Sequence, residues 1–335
     1  MVVYILQRVM LTGLMLFGLV CITFLVSNVA PSDPAALAAG PDATRDMIET
    51  IRREYGLDQP LWQQFIRYVS DLASGNFGRS IVSTQSVGRE LAQFFPATLE
   101  LVLLAMGLGV LLGVPLGMLS AVYKNRPIDH VVRVFAVSGV ALPAFWFGLV
   151  LQLVFAAQLD LLPTSGRLDI ASPPPPPITR MYLIDSLLAG DMVAFRDAAA
   201  HIVLPLATLT LANLPLVART TRNLMVEALS EDFVRTAFAY SLPRRLVYFR
   251  YALKATLIPL LTVIGLTYGY LLGGAVVAEY VFDWPGIGGY VVRAITQSDY
   301  PAAIGVTTFL AAAYLTINLI VDLLYFAVDP RLRRA

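Results

Sequence analysis

Charged residues are scarce in this sequence of 335 residues, where Asp, Glu, Lys and Arg together make up only 14%. Soluble domains carry about 25%, and the hydrophobic share of 57% departs in the same direction. A helix needs roughly 20 apolar residues to cross the hydrocarbon core of a membrane. Six windows of 21 to 26 residues contain no charged residue, namely 9–32, 101–123, 134–159, 198–218, 255–278 and 300–321. The composition therefore predicts an all-α, polytopic membrane protein with six transmembrane helices.

Cysteine and histidine are nearly absent, since the sequence contains only Cys21, His130 and His201. A single cysteine excludes an internal disulfide framework, and two distant histidines do not favour a metal centre. The formal net charge of +1 gives no strong basic field for nucleic acid. We therefore expect neither a bound metal nor a nucleic-acid partner.

The common nucleotide-binding and hydrolase motifs are missing as well. The sequence has no G-x-x-x-x-G-K-[ST] loop, which would cradle the phosphates of a nucleotide, and no H-E-x-x-H or G-x-S-x-G. The chain is therefore predicted to be neither an enzyme nor a cofactor-binding protein, and if ATP drives it, another subunit binds the nucleotide. The apolar run within residues 1–30 exceeds the 7–15 residues of a typical signal core, so we expect it to stay as the first transmembrane helix.

Basic residues are distributed unevenly between the segments that connect the six windows. The segments of one side hold 14 basic and 6 acidic residues, and these segments are 1–8, 124–133, 219–254 and 322–335. The segments of the other side hold 10 basic and 17 acidic residues over a greater length. An excess of Lys and Arg in short loops marks the cytoplasmic side. Both termini are therefore predicted to be cytoplasmic.

After the first helix, the predicted organisation is an extracytoplasmic segment (31–95), a core of five helices (96–328) and a cytoplasmic tail (329–335). Amphipathic helices are predicted at 44–55 and 61–72. The second of them either lies in the headgroup region or packs on the outer ends of the spans. The run Pro173–Pro177 is either a stiff polyproline II spacer or a tolerated surface insertion.

Polar side chains are rare in the predicted spans and are therefore informative. Asn318 and Asp322 lie four residues apart and share one face of the last helix. They form either an interhelical hydrogen bond that fixes packing or an ion relay, and the lack of a second carboxylate at matching depth favours packing. Glu100 and Asn213 are open to the same two interpretations.

The basic segment 223–254 has the pattern of a short helix, a sharp bend and a second helix. Ser230, followed by two acidic residues, is predicted to start the short helix, and Pro243 is predicted to end it. Apolar side chains recur on this helix at the spacing that helix-in-groove anchors use. The segment is therefore predicted to dock into a partner, although the arginines that follow Pro243 also suit a helix lying on anionic lipid.

The stretch Asp232–Leu242 resembles the coupling-loop signature of inner-membrane permease subunits of bacterial ABC importers, specifically those of the dipeptide, oligopeptide and nickel class. Further stretches resemble recurring motifs of the same class in the same order, and these are Tyr55–Leu61, Pro96–Leu101, Trp284–Gly288 and Asp329–Arg331. Arg8 and the long first outer segment resemble the first of the two paired permeases. The resemblance extends over essentially the whole chain.

The resemblance implies a type I importer permease fold in the bacterial inner membrane. It implies as partners a second homologous permease, two ATPase subunits that bind Mg-ATP, an extracytoplasmic binding protein and the lipid bilayer. The residues expected to contact an ATPase are Phe233, Val234, Ala237, Phe238, Ser241 and Leu242. The residues expected to form an outer gate are Trp284, Pro285, Gly286 and Gly288. Short peptides are the expected substrate, with nickel chelates, glutathione and opines as alternatives.

The sequence departs from the family pattern at Tyr240-Ser241, where a Lys-Gly pair is usual. Ser241 therefore either accepts a backbone angle that favours glycine or caps the second helix.

Two other classes of protein are alternatives to the ABC permease. An ion-driven transporter needs midplane carboxylates and internal repeats, and a membrane-embedded enzyme needs titratable groups that converge at one membrane face. Neither pattern is clear in the sequence.

Overall fold

The computed structural model describes residues 2–29, 43–54 and 58–328. The motif residues Tyr55–Leu57 and Asp329–Arg331, and the rest of the predicted tail, lie outside these ranges. The described chain is mostly helical, and its helices are α1 (Val2–Val29), α2 (Arg45–Glu54), α3 (Leu61–Ala73), α4 (Val87–Val122), α5 (Pro127–Ala141), α6 (Ala144–Leu151), α7 (Tyr182–Ala189), α8 (Met192–Ser230), α9 (Asp232–Ala239), α10 (Leu253–Val281), α11 (Ile287–Thr296) and α12 (Tyr300–Val328). The β-structure found in the described ranges is an isolated bridge between Arg79 and Ser86.

Five helical stretches are long and apolar enough to cross a membrane, and they are Ile5–Leu25, Val87–Val122, Met192–Ser230, Arg244–Val281 and Tyr300–Leu323. The fourth of them reaches α10 through the short helix Arg244–Leu246 and the π-helical turn Val247–Ala252. A sixth span results if α5 and α6, which meet at a bend of 101°, form one broken span. The prediction of an all-helical, multi-span membrane protein is confirmed.

A proline within an apolar span predicts a kink at Pro143 in the third helix, and the structure shows a complete interruption there. The preceding residue, Leu142, is extended (φ −87°, ψ 129°), and Pro143 itself is extended at the start of α6. Proline lacks a backbone donor and disfavours a helical conformation of the residue before it. One predicted helix is therefore two helices, and α6 continues into the π-helical turn Gln152–Gln158.

The chain divides into two compact units. The first comprises Pro96–Gly289 and the residues from Ile320 onward, and the second comprises Val2–Phe95 and Tyr290–Leu319. In the first unit, α8 is the central helix, because it contacts α5, α6, α7, α9 and α10. With 39 residues, α8 is also the longest helix described, and it contains Pro205 and Pro215.

Glycines of α4 allow this helix to approach α8 closely. Gly109, Gly113 and Gly117 are spaced four residues apart, which places them on one face of α4. A Cβ atom on Gly113 would lie 2.9 Å from the Val217 side chain, and one on Gly117 would lie 2.4 Å from the Ala218 carbonyl oxygen. Small residues at such spacing permit close backbone contact between helices in lipid.

In the second unit, α3 packs on α1 through aromatic side chains. The Phe65 ring contacts Phe24 edge-on, with ring centroids 5.2 Å apart, and the Tyr68 hydroxyl donates a hydrogen bond to Thr23 Oγ1 at 3.2 Å. Among the apolar residues of α3, Leu61, Trp62 and Ile66 are exposed. Packing of α3 against a predicted span is thus observed.

Gly117→Ala is expected to destabilise the protein, because the added methyl group would meet the backbone of α8 and force the two helices apart. Overpacking of this kind costs about 1–3 kcal/mol. Gly107→Ala is the matched control, since a Cβ atom on Gly107 would meet no atom within 4 Å. The thermal unfolding midpoint of the purified protein in detergent measures the effect. Equal midpoints for the two variants would contradict the close contact between α4 and α8.

Candidate functional site

The short helix α9 begins two residues later than the sequence predicts. The Ser230 hydroxyl donates to the carbonyl oxygen of Glu227 at 2.7 Å, so Ser230 ends α8 and does not cap α9. Glu231 is the N-cap residue, with an extended backbone and no side-chain capping bond. Asp232 lies in the first turn of α9, where a negative charge complements the helix dipole, as expected.

One face of α9 is buried within the chain. Val234 is 1% exposed and Ala237 is 5% exposed, and Leu242 packs against the same cluster. The other buried members of this cluster are Met118, Ala121, Met225, Ala228, Val247 and Ala252. We call this cluster the seat of α9, because it packs the helix onto the ends of α4 and α8 and onto the turn that leads into α10.

Aromatic side chains on either side of this buried face are partly exposed. Phe233 is 42% exposed, Phe238 is 40% exposed, and Tyr240, just after the helix, is 79% exposed. The predicted partner contacts therefore include both buried and exposed residues. Val234 and Ala237 are buried in the chain's own seat, and the contact of the set with an ATPase stays a prediction.

Ser241 produces the bend after α9 by adopting a left-handed backbone conformation, with a φ of +57°. Of the two alternatives left by the sequence, the strained angle is therefore the one observed. The Ser241 N–H donates to the Phe238 carbonyl oxygen at 2.9 Å, and the Leu242 N–H donates to that of Ala237 at 3.2 Å. This conformation costs a residue other than glycine about 1–2 kcal/mol, and Pro243 then starts the next helix.

At the opposite end of the first unit, the loop after α10 is bonded to the beginning of the unit. The Trp284 indole donates to the Ala97 carbonyl oxygen at 3.0 Å, and the Ile287 N–H donates to Thr98 Oγ1 at 2.8 Å. Trp284, Gly286 and Gly288 are buried, and Pro285 is exposed. The four residues expected to form an outer gate therefore belong to a loop that is fixed to α4.

Glu279 is the buried carboxylate that organises this loop, and the sequence analysis did not single it out. It accepts hydrogen bonds from the Thr98 hydroxyl at 2.5 Å and from the Gly289 N–H at 2.9 Å. A Cβ atom on Gly286 would lie 2.3 Å from the carboxyl carbon of Glu279. The glycines are therefore required because the loop wraps around the carboxylate. An acidic residue seven positions before Gly286, near the end of an otherwise apolar helix, was the signal in the sequence.

Glu100, which the sequence left ambiguous, forms a buried ion pair. Arg167 Nη2 donates to Glu100 at 2.6 Å, and the guanidinium carbon lies 3.6 Å from the ring centroid of Tyr182 and 5.3 Å from that of Trp284. Glu100 also accepts from the N–H groups of Tyr182 and Leu183. The carboxylate therefore caps the N-terminus of α7 and joins the 160–190 segment to α4.

Asp185 fixes the chain just before α7. Burial favours a raised pKa for this carboxyl, but hydrogen bonds from the Thr179 hydroxyl and from the N–H groups of Thr179, Arg180 and Ile178 outweigh it and hold the pKa below its usual value. The neighbouring run Pro173–Pro177 is non-helical, and Pro175 is its buried member. The proline run is thus partly anchored to the protein.

The polar residues predicted for the last helix are half-buried. Asn318 and Asp322 both lie on α12 at this intermediate burial, so their role in packing stays a prediction. In the first unit, both polar atoms of the Asn213 side chain are buried and have no hydrogen-bond partner. Within the described part of the chain, no group of three or more His, Cys, Asp or Glu residues is placed to hold a metal ion.

Glu100→Ala is expected to leave Arg167 buried without its partner and to free the N-terminus of α7. Removing one member of a buried ion pair costs about 3–5 kcal/mol. Limited proteolysis measures the effect, and the 160–190 segment should be cleaved faster in this variant. Asp160→Asn, which changes an exposed carboxylate in the same segment, serves as the control. Equal cleavage rates would show that the ion pair does not hold the segment.

Known proteins are similar in sequence to this chain over nearly its whole length. The family model for the binding-protein-dependent transport system inner membrane component matches residues 113–334, and the model for the N-terminal part of such membrane components matches residues 1–102. The chain is 48% identical to "Probable D,D-dipeptide transport system permease protein DdpB" of Escherichia coli, over 96% of this chain and 94% of the relative. It is 40% identical to "Di/tripeptide transport system permease protein DppB" of Pseudomonas aeruginosa, over 95% and 94% respectively.

A solved structure shares the fold. An inward-facing structure of the MetNI methionine ABC transporter matches with a TM-score of 0.54 at 16% identity, and the match covers 72% of this chain and 96% of that chain. At this identity the likeness concerns the fold alone. It confirms the type I importer permease fold expected from the sequence.

Proposed function

Because this chain belongs to the family of binding-protein-dependent transport system inner membrane components, we propose that it carries short peptides across the bacterial inner membrane as half of a translocation path. It is a multi-pass permease subunit of an ABC importer, it works with other components of that importer, and it is not an enzyme. ATP hydrolysis belongs to separate subunits in such systems. The proposal concerns the substrate, the partners and the residues that couple them.

Short peptides are proposed as the substrate because the names of the relatives specify D,D-dipeptides and di- and tripeptides. The similarity to each relative extends over nearly the full length of both chains. A transport path formed by the whole membrane domain is therefore comparable in all three proteins.

The proposed partners are a second homologous permease, two ATPase subunits that bind Mg-ATP, and an extracytoplasmic binding protein. The uneven distribution of basic residues supports an orientation with both termini and α9 in the cytoplasm. In this orientation α9 faces the ATPases, and the Trp284–Gly289 loop faces the binding protein.

The unequal burial of the side chains of α9 is the observation that carries the proposal. Its aromatic side chains Phe233, Phe238 and Tyr240 are exposed and fit a groove on an ATPase. The face between Phe233 and Phe238, which carries Val234 and Ala237, is packed into the seat on α4 and α8. A displacement of α9 by the ATPase would therefore be transmitted directly to these two helices, which both extend to the opposite end of the first unit.

The Trp284–Gly289 loop is proposed to contribute to the outer gate. Its hydrogen bonds to Ala97 and Thr98 make it move with α4. Since α4 also contributes Met118 and Ala121 to the seat of α9, the same helix connects the proposed gate with the proposed ATPase contact.

Phe238→Glu is expected to abolish ATPase docking, because it places a charge among the exposed aromatic side chains of α9. Loss of an aromatic anchor costs 2 kcal/mol or more, so the amount of co-purified ATPase and the uptake rate should fall by at least about tenfold. Phe238→Leu keeps an apolar side chain at this position and should retain most of both. A Phe238→Glu importer that binds its ATPases and transports normally would refute the coupling role of α9.

Uptake of a radiolabelled dipeptide into proteoliposomes tests the substrate and the energy source together. With the binding protein and the ATPases present, we expect uptake to require ATP and to be unchanged by a protonophore. A free amino acid is the matched control substrate and should not be imported. Dipeptide uptake that persists without the ATPases and collapses with the protonophore would favour an ion-driven transporter instead.

A further inference from the structure

Asp129, in the first turn of α5, is fully buried and holds three segments of the chain together. Its carboxylate accepts hydrogen bonds from the Ser120 hydroxyl of α4 at 2.6 Å and from the Asn125 N–H of the connecting turn at 2.9 Å. Arg222 of α8 donates through Nε at 2.6 Å and through Nη2 at 2.9 Å. The side chain of Asp129 is 0% exposed, so water does not compete for these bonds.

Arg222 is the principal charge partner of this carboxylate. Its two parallel N–H donors form the bidentate geometry that makes pairs of arginine and carboxylate both strong and directional. Arg133 is also near, but its Nε lies 3.6 Å from Asp129, beyond hydrogen-bond distance, and its side chain is 43% exposed. The two arginines therefore differ in how firmly they hold the same carboxylate.

The ion pair is interleaved with the seat of α9. On α4, Ser120 lies between the seat residues Met118 and Ala121, and on α8, Met225 follows Arg222 by about one turn. Gly117 brings the same two helices together, since a Cβ atom there would lie 2.9 Å from the Arg222 backbone nitrogen. The seat supplies apolar packing, and the ion pair adds directional bonds at the same level of the helices.

We infer that the Asp129–Arg222 pair positions the seat of α9, so that α4, α5 and α8 move as one body when an ATPase displaces α9. This inference rests on the proposed function of α9. Without the pair, the end of α8 would be held to α4 by apolar packing alone and would no longer be bonded to α5. Displacement of α9 would then be absorbed locally, and ATP would be hydrolysed with less transport. Asp129 and Arg222 are positioning residues, because neither is proposed to touch the substrate or ATP.

The ratio of ATP hydrolysed to peptide imported, measured for the assembled importer in proteoliposomes, tests this inference. Asp129→Asn and Arg222→Lys should each raise the ratio several-fold, and the double variant should raise it no further than the stronger single change, because both residues act through one pair. Arg133→Gln is the matched control, since it removes a positive charge near the same carboxylate without breaking a hydrogen bond to Asp129, and the bond that it does lose is an exposed one to His130 Nδ1. Its ratio should equal that of the unaltered importer.

A merely structural role predicts a different result, in which less complex assembles and both activities fall in proportion. An unchanged ratio in assembled Asp129→Asn importer would therefore overturn the inference. If Asp129→Asn does not assemble, Arg222→Lys carries the same measurement, and failure of both to assemble would assign the pair to folding and overturn the inference as well. Transport by the unaltered importer that needs no ATP would refute the proposed function itself, which is a separate outcome.

Discussion

A carboxylate that leaves water must find its hydrogen-bond donors within the protein, and this constraint shapes the first unit. Three buried carboxylates meet it through residues that are distant in the sequence, and they are Glu100, Glu279 and Asp129. Each of them joins α4, or the turn that follows it, to another segment of the unit. An unpaired charge at any of these sites would cost several kcal/mol, so the carboxylates select one arrangement among the many ways in which apolar helices can pack.

Apolar helices were predictable from the sequence, whereas the way in which they end was not. Windows without charge located the spans because the cost of a charge in lipid does not depend on tertiary contacts. The break at Pro143 was expected only as a kink, since the sequence does not reveal that Leu142 is extended as well. Ser230 has the chemistry of an N-cap, but its hydroxyl bonds backward to Glu227, and both choices are local options for the same side chain.

The residues predicted to contact a partner differ in burial, which the sequence did not indicate. Apolar side chains surround much of this eight-residue helix, and the pattern does not reveal which of them the rest of the chain covers, so Val234 and Phe238 looked alike. The ion pairs were missed for another reason. Glu100 and Arg167 are 67 residues apart, and Asp129 and Arg222 are 93 apart, and a single sequence carries no signal that joins residues at such distances.

The length of α8 has a geometrical consequence. At 1.5 Å per residue, its 39 residues extend for about 58 Å, nearly twice the roughly 30 Å thickness of the hydrocarbon core. A helix of this length that crosses the hydrocarbon core extends beyond it, and Pro205 and Pro215 permit it to bend. A tilt of about 5° around one end displaces the other by about 5 Å, close to one helical turn. Small rotations at the membrane surface are thereby converted into molecular-scale displacements on the far side, without any segment having to unfold.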